Sequence, residues 1–269
     1  MANKEGNPTS LLVDQEIEQL TGMARDEAIL AHQDKLEKEI KESTQLISEK
    51  LPLSVLTDEF KSDPVYCQKV EDLLTKHRFI RKTRGDGNCF FRAFGFAYFE
   101  TLLTDKEELH RFIGITKKSK DELISLGFPA FTLEDFHDTF MEAVQSIQVK
   151  PSLENLIETY CDQGISDYLV VYFRLLTSGE LKKRADFYKD FIEAGRTVQE
   201  FCSQEVEPMS KESDHIHIIA LTNALEVGIR VAYLDRGEGG KVNCHDFPDG
   251  CTPQVMLLYR PGHYDILYS

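Results

Sequence analysis

One segment of the chain, SDYLVVYFRLLTSG at positions 166–179, is apolar around its whole circumference when it is wound as a helix. A helix without a polar face has to be covered on every side. Ser166 is predicted to cap its N-terminus, and Gly179 is predicted to end it. We therefore expect a central helix inside a sizeable core, which a chain of 269 residues is long enough to form.

Further helices are predicted around this one. Residues 131–144, FTLEDFHDTFMEAV, have helical apolar spacing behind Thr132, the predicted N-cap. Another helix is predicted to end at Gly195, and a third lies within residues 213–226.

The last third of the chain changes from helical to strand-like patterns. The predicted strands are GIRVAYL (228–234), QVMLLYR (254–260) and HYDILY (263–268), with RFIRKT (78–83) as a further strand. Turn-rich stretches at 235–243 and 247–250 separate the C-terminal strands. A helical body with one small sheet is an α+β fold.

The N-terminal 44 residues are predicted to lie outside the main domain, which spans 45–269. Residues 1–22 are polar and aperiodic, so we predict a mobile tail. Residues 23–44 are predicted to form a charged helical arm, which either packs on its own domain or docks on a partner. The narrow apolar stripe of this arm consists of Ile29, Leu36 and Ile40.

The chain has 46 acidic and 31 basic residues, which gives a formal net charge of −15. This excess disfavours nucleic acid and anionic membrane surfaces as partners and favours basic ones. No apolar stretch has the length of a signal peptide or a membrane span. The six cysteines form no CxxC pair, so we expect reduced thiols and a cytoplasmic location, and the composition leaves an additional nuclear location open.

Cys89 stands at the first step out of a glycine-bracketed turn, in GDGNCFFRAFGFA at 85–97. The turn leads into a helix, whose unpaired N–H groups and dipole favour a thiolate. The same N–H groups are able to bind the oxyanion that forms when a carbonyl is attacked. The loop predicted to do so consists of Asp86, Gly87, Asn88 and Cys89.

A helix terminus alone changes a thiol pKa by less than about 1, so an activated cysteine also needs an imidazole. His263 begins a predicted strand in YRPGHYDILY (259–268), and Asp265 follows on the same strand face. Asp265 is thus able to hold one imidazole nitrogen and leave the other for Cys89. The alternative is an edge strand whose polar face happens to contain His and Asp, and the spacing leaves both open.

Two other polar clusters are weaker candidates. His215 and His217 are of a type that ligates metals, but at i and i+2 near a helix start they point to different faces. The run Cys244-His245-Asp246 contains the residues of a triad, but adjacent side chains cannot converge and the segment is predicted to be a loop. No metal or organic cofactor is predicted.

The segments GDGNCFFRAFGF and YRPGHYDILY together resemble the ovarian-tumour (OTU) class of deubiquitinating cysteine proteases, and in particular its otubain branch. The resemblance extends from about Asp26 to Tyr268. Two departures are Gly85, where close relatives are expected to have proline, and Phe91, where they are expected to have tyrosine. Further segments that resemble this branch are DYLVVYFRLLTSG, FCSQEVEPM, KESDHIHIIAL and DRGEGG.

The resemblance implies a papain-like OTU fold with a small, mostly antiparallel sheet surrounded by helices. It implies that Cys89 is the nucleophile, that His263 is the general base and that Asp265 orients the imidazole. Asp86 is implied to belong to the oxyanion loop as a further catalytic residue. The residues implied to contact ubiquitin are Ile219, Tyr233, Asp235, Tyr259, Gly262 and Tyr264.

Two functions follow from the resemblance, and the sequence leaves both open. The first is hydrolysis of isopeptide bonds in polyubiquitin, with a preference for the compact chain linkage that marks proteins for the proteasome. The second is inhibition of ubiquitin-charged conjugating (E2) enzymes without chemistry, through the N-terminal arm. Both can coexist, and the expected partners are ubiquitin, polyubiquitin chains and E2 enzymes.

Overall fold

A computed structural model describes residues 44–193 and 195–269. The predicted tail and, apart from Thr44, the predicted arm lie outside the described residues, and so do Ile29, Leu36 and Ile40. These predictions stay predictions.

The described residues contain one mixed sheet and a set of helices. The strands are β1 (Leu51–Pro52), β2 (Phe79–Arg81), β3 (Ile229–Tyr233), β4 (Asn243–Phe247), β5 (Val255–Arg260) and β6 (His263–Tyr268). The helices are α1 (Val55–Phe60), α2 (Pro64–Leu74), α3 (Cys89–Leu102), α4 (Lys106–Ser125), α5 (Ala130–Val149), α6 (Leu153–Cys161), α7 (Gln163–Lys183), α8 (Ala185–Tyr188), α9 (Val198–Phe201) and α10 (His215–Leu225). A 3-10 turn (Lys189–Phe191) and a π-helical turn (Cys202–Val206) complete the helical part.

The strand order is β1-β2-β6-β5-β3-β4, in which β3 and β5 pair in parallel and the other neighbours pair antiparallel. Successive side chains of a strand point to opposite faces. Leu257 and Ile266 therefore join the larger core formed with α3–α7 and α10, whereas Leu258 and Leu267 join a second core against α1 and α2. The predicted α+β fold, with a mostly antiparallel sheet surrounded by helices, is confirmed.

Helix α7 is the predicted central helix, but its N-terminus lies earlier than predicted. Asp162 caps it, because the Asp162 side chain accepts a hydrogen bond from the N–H of Ile165 at 2.9 Å. Ser166, the predicted cap, is instead fully buried within the first turns and accepts a hydrogen bond from Arg92 at 3.2 Å. The cap prediction was wrong because Asp162, four residues upstream, is also a favoured N-cap residue and caps the helix instead.

Gly179 does not end α7, which continues to Lys183. A Cβ atom at Gly179 would lie 2.5 Å from a methyl carbon of Leu123 in α4. The glycine therefore permits the close approach of two helices instead of terminating one.

Three further boundaries differ from the predictions. Helix α5 begins at Ala130 behind Pro129, so Thr132 lies inside it. Helix α8 and its 3-10 extension end at Phe191, before Gly195. Strand β4 occupies part of the predicted loop, because pairing with β3 imposes an extended backbone on a segment without an apolar alternation. No helix among the described residues is both long and apolar enough to cross a membrane.

Candidate active site

Cys89 is the first residue of α3, and Asn88 occupies the cap position. The helix is buried along most of its length, and the ring of Phe90 packs edge-on against Tyr264 of β6 at 5.2 Å between centroids. Cys89 itself is only 4% exposed. A rigid aromatic core therefore fixes the thiol at a helix N-terminus, where unpaired N–H groups favour negative charge.

His263 and Asp265 lie on one face of β6 and are in contact. The Nε2 atom of His263 lies 2.9 Å from Oδ1 of Asp265. The fully buried Asp265 carboxylate also accepts the N–H of Thr83 at 3.0 Å and is paired with the guanidinium of Arg260. Thr83 lies just before the loop that leads to Cys89. The Asp265 carboxylate therefore holds both the His263 imidazole and the chain segment that precedes this loop.

The electrostatics of this pair favour an imidazolium. Burial by itself favours the neutral ring of His263, but hydrogen bonds to Asp265 and Cys89 outweigh burial and raise the His263 pKa to about 9. Burial likewise disfavours the Asp265 carboxylate, yet the partners His263 and Arg260 lower the pKa of that carboxyl. A methyl group placed on Gly85 would lie 3.6 Å from Nδ1 of His263, so this second nitrogen faces the loop of the cysteine.

The carboxylate of Asp86 is directed into the protein. It accepts hydrogen bonds from Nη1 of Arg92 at 2.9 and 3.0 Å and from the N–H of Asn88 at 3.0 Å. The N–H of Asp86 in turn donates to the carbonyl oxygen of Arg84 at 3.1 Å. Asp86 thus shapes the loop through its side chain, and the N–H groups of Asp86 and Asn88 already have acceptors.

Two N–H groups of the loop remain for a ligand. Those of Gly87 and Cys89 donate to no acceptor within residues 44–193 and 195–269. Gly87 has φ +74°, and a Cβ atom there would lie 2.3 Å from the carbonyl oxygen of Ser210. Only glycine fits this close approach, so Gly87, one of the two glycines that predicted the turn, is required for steric reasons.

Three arginines of the site escape prediction from the sequence. Arg92 and Arg174 are fully buried, and Arg260 pairs with Asp265. For Arg92 and Arg174 the sequence offered one signal, a single arginine within an apolar run, in FFRAF and YFRLL. Such a residue is rarely buried without partners.

The three tyrosines predicted to contact ubiquitin form a row of rings. Tyr259 stands between Tyr233 and Tyr264, with centroids 5.2 and 5.1 Å away. Tyr233 and Tyr264 are 6% and 4% exposed, and their hydroxyls contact His215 Nε2 and the carbonyl oxygen of Ser213. Tyr233 and Tyr264 thus have little exposed surface and support the more exposed Tyr259, and the contact of the three tyrosines with ubiquitin stays a prediction.

The other predicted contact residues retain accessible surface. Ile219 lines a surface cavity of about 250 Å³ together with the exposed ring of Phe191. Asp235 has a side chain that is 36% exposed and an ion pair with buried Lys69 at 2.9 Å. Gly262 has φ +74° in the turn that precedes His263. Their contact with ubiquitin stays a prediction.

The weaker polar clusters have structural partners. Nδ1 of His217 accepts the N–H of Asp214 at 3.0 Å, which closes a capping box at the start of α10. Asp246 of β4 accepts two hydrogen bonds from Arg230, at 2.6 and 2.8 Å. No group of three His, Cys, Asp or Glu side chains able to hold a metal occurs in the described part of the chain.

Comparison with known proteins identifies the family. The model of the family Peptidase C65 Otubain matches residues 39–269. This chain belongs to the otubain family. The otubain is 57% identical over 248 residues to human ubiquitin thioesterase OTUB1, with 92% of each chain covered, and 44% identical over 245 residues to an OTU deubiquitinating enzyme of Arabidopsis thaliana, with 82% and 80% covered.

Solved structures support the same assignment. The otubain matches a structure described as h/ceOTUB1–ubiquitin aldehyde–UBC13~Ub with a TM-score of 0.85 and 37% identity, covering 91% of this chain and 99% of that one. A second match is described as h/ceOTUB1–ubiquitin aldehyde–UBCH5B~Ub, with a TM-score of 0.86, 37% identity and coverages of 92% and 99%. The predicted otubain family, its cysteine protease class and its fold are confirmed.

Proposed function

We propose that this otubain is a thiol-dependent ubiquitin isopeptidase. The observation that carries the proposal is the contact of His263 with Asp265 on one side, while its second nitrogen faces the loop of Cys89. The names of its relatives, which are ubiquitin thioesterases, supply the substrate class. The formal net charge of −15 suits ubiquitin, because a basic partner face is attracted to an acidic protein.

In the proposed reaction, the Cys89 thiol transfers its proton to His263, and the thiolate attacks the carbonyl carbon of the last ubiquitin residue. The N–H groups of Gly87 and Cys89 hold the resulting oxyanion. The imidazolium then gives its proton to the lysine amine as the C–N bond breaks. Water, deprotonated by His263, hydrolyses the remaining thioester and releases the ubiquitin carboxylate and the free thiol.

The direct test replaces the nucleophile. We expect Cys89→Ser to abolish cleavage of diubiquitin while the thermal unfolding midpoint is retained. Cys244→Ser is the matched control, since Cys244 is an exposed thiol on β4. Cleavage by Cys89→Ser at the rate of the unaltered chain would exclude the assignment.

We propose in addition a preference for the compact, proteasome-targeting chain linkage, which rests on the resemblance to the otubain branch. The test compares cleavage of the compact diubiquitin with cleavage of the extended, signalling diubiquitin at equal concentrations. Rapid cleavage of the compact dimer alone supports the preference, whereas equal rates reject it without touching the assignment of Cys89. The cytoplasmic location also stays a prediction, with an additional nuclear one left open, and imaging of the tagged full chain tests both.

A second candidate function is inhibition of E2 enzymes that carry ubiquitin. It is supported by the two solved relatives whose descriptions include UBC13~Ub and UBCH5B~Ub. On this chain, Phe131 of α5 is 86% exposed, and Phe136 packs against the 40% exposed Tyr168 of α7 at 4.9 Å. Exposed aromatic rings of this kind are typical of a protein interaction surface.

The two functions separate by mutation. Deletion of residues 1–43 is expected to abolish inhibition of ubiquitin transfer from the E2, whereas Cys89→Ser is expected to leave that inhibition intact. Phe131→Ser should weaken inhibition without lowering diubiquitin cleavage. Full inhibition by the truncated chain would remove the arm from the proposal.

A further inference from the structure

Arg174 of α7 is a fully buried arginine that joins three segments of chain. Its Nη2 atom lies 2.9 Å from the carbonyl oxygen of Gly87, 2.9 Å from Oδ1 of Asn88 and 2.8 Å from the carbonyl oxygen of Lys211. Its Nη1 atom lies 3.0 Å from the carbonyl oxygen of Val206. One guanidinium therefore holds both the cysteine loop and the segment 206–211.

The partners of Arg174 differ from those of Arg92, the other fully buried arginine beside the loop. Arg92 has ion pairs with Asp86 at 2.9 Å and Asp167 at 3.3 Å. Arg174 has no carboxylate within ion-pair distance in the part of the chain that the structure describes, and burial lowers its pKa to about 10. A charge kept in the core without a counter-ion lowers stability. The guanidinium of Arg174 is held by four neutral acceptors, which indicates that its planar, forked shape is what this position requires.

The acceptors of Arg174 include the peptide group between the two proposed oxyanion donors. The Gly87 carbonyl belongs to the peptide that joins Gly87 to Asn88, while the N–H groups of Gly87 and Cys89 lie on the peptides before and after it. Oδ1 of Asn88 also accepts the N–H of Ser210 at 2.9 Å. Fixing the central peptide and the Asn88 side chain therefore fixes the direction of both donors.

We propose that Arg174 is a positioning residue for the hydrolysis, which holds the loop 85–88 in the conformation that aims the N–H groups of Gly87 and Cys89 at the oxyanion. The inference rests on the proposed function, because it concerns the same reaction. Arg174 contacts neither the substrate nor the reacting atoms in this arrangement. Its effect passes through Gly87 and Asn88.

The test compares Arg174→Lys with Arg111→Lys. Lysine keeps the charge at 174 but cannot reproduce the planar fork that reaches four acceptors. Arg111 of α4 is the control, because it donates to Glu108 of its own helix and to the carbonyl oxygen of Leu225 in α10 without contacting the loop. The substrate is ubiquitin with a fluorogenic C-terminal amide, and the inhibitor is ubiquitin aldehyde, whose adduct with the Cys89 sulfur places an oxygen at the oxyanion position.

We expect Arg174→Lys to lower kcat by roughly 10- to 100-fold, less than the loss of a whole oxyanion donor, with KM within about threefold. The affinity for ubiquitin aldehyde should fall by a similar factor. Alkylation of Cys89 by iodoacetamide should stay within about twofold, because that reaction forms no oxyanion and the charge at 174 is retained. Arg111→Lys should keep all three values.

A kcat equal to that of the unaltered chain would overturn the inference. So would a parallel loss of alkylation and hydrolysis, which marks a damaged fold or thiol instead of a misdirected loop. If Arg174→Lys does not fold, Asn88→Ala removes the shared acceptor and must give the same loss of kcat and of aldehyde affinity, and unchanged values overturn the inference. Absence of hydrolysis by the unaltered chain, by contrast, is a failure of the proposed function and not of the role of Arg174.

Discussion

Two mostly buried histidines of this otubain have pKa values displaced in opposite directions. His263 has a pKa raised to about 9, whereas His217 has one lowered to about 4. Burial favours the neutral ring in both. The difference shows that burial alone does not decide the protonation of an imidazole in this core.

The partners explain the difference. Burial is the largest single effect on His263, but Asp265 and Cys89 together stabilise the imidazolium more strongly than burial opposes it. At His217, burial is the largest effect, and the nearby charge of Arg174 adds to it. Nδ1 of His217 also accepts an N–H from the backbone, which requires a nitrogen without a proton. One histidine is thus prepared for proton transfer, and the other closes a helix.

The largest effect is expected from removing the Asp265 carboxylate, the partner that distinguishes His263 from His217. We expect Asp265→Ala to lower kcat by about 10³- to 10⁴-fold, because the imidazole loses both its orientation and its anionic partner. Asp265→Asn keeps the geometry but not the charge, so it should lower kcat by a similar factor and should lower the His263 pKa below 9. The measurements are kcat and an NMR titration of the ring.

The control for this pair of variants is Asp246→Ala, which removes an Arg-paired carboxylate from β4. It should retain both kcat and the His263 pKa. Equal activity of Asp265→Ala and the control would show that the comparison has no bearing on catalysis.

The second-largest effect is expected to be the loss of activity at alkaline pH. The proposed mechanism needs an imidazolium to protonate the leaving amine, and the His263 pKa is about 9. We therefore expect kcat/KM to fall about tenfold per pH unit above pH 9. Steady-state rates between pH 6 and 10.5 check this, and a fall beginning near pH 7 would contradict it.

The acid dependence of stability should reflect His217. The fold lowers the pKa of His217, so the stability that this residue contributes is fully present above pH 6.5, its ordinary pKa. That stability is lost as the pH falls from 6.5 through about 4. His263 has the opposite sign, since its contribution is present below pH 6.5 and is lost as the pH rises to about 9.

His217→Gln keeps an acceptor for the capping box but removes the titration. Relative to the unaltered chain, it should reduce the loss of unfolding free energy between pH 6.5 and 4 by at most about 3 kcal/mol. Urea unfolding at a series of pH values measures the difference. Parallel curves for the two proteins would mean that His217 does not titrate in this range.

The smallest effect is expected at Gly85, which lies against His263. A methyl group there would make an ordinary contact of 3.6 Å with Nδ1, and the residue is not among the glycines with positive φ. We expect Gly85→Ala to raise the unfolding free energy by about 0.4–1 kcal/mol, because the unfolded chain loses freedom, while kcat stays within about twofold. A large loss of kcat would reveal that the ring must move towards the loop.

Much of the site could be predicted because its signals are local. Cys89 at a helix start, and His263 with Asp265 on one strand face, follow from turn chemistry and from the period of a strand. The Asp265–Thr83 and Arg174–Gly87 contacts could not be predicted in this way, since they join residues 182 and 87 positions apart.

The sequence by itself determined the α+β class, the strands that carry the histidine and the helix that carries the cysteine, because hydrophobic periodicity and glycine turns act over a few residues. Only the tertiary structure decided that Asp162 caps α7, that β4 is a strand, that Tyr233 and Tyr264 are buried, and that Arg174 holds the cysteine loop. These outcomes depend on which groups meet across the fold. Desolvation and hydrogen bonding between distant segments set them, and neither has a period that can be read along the chain.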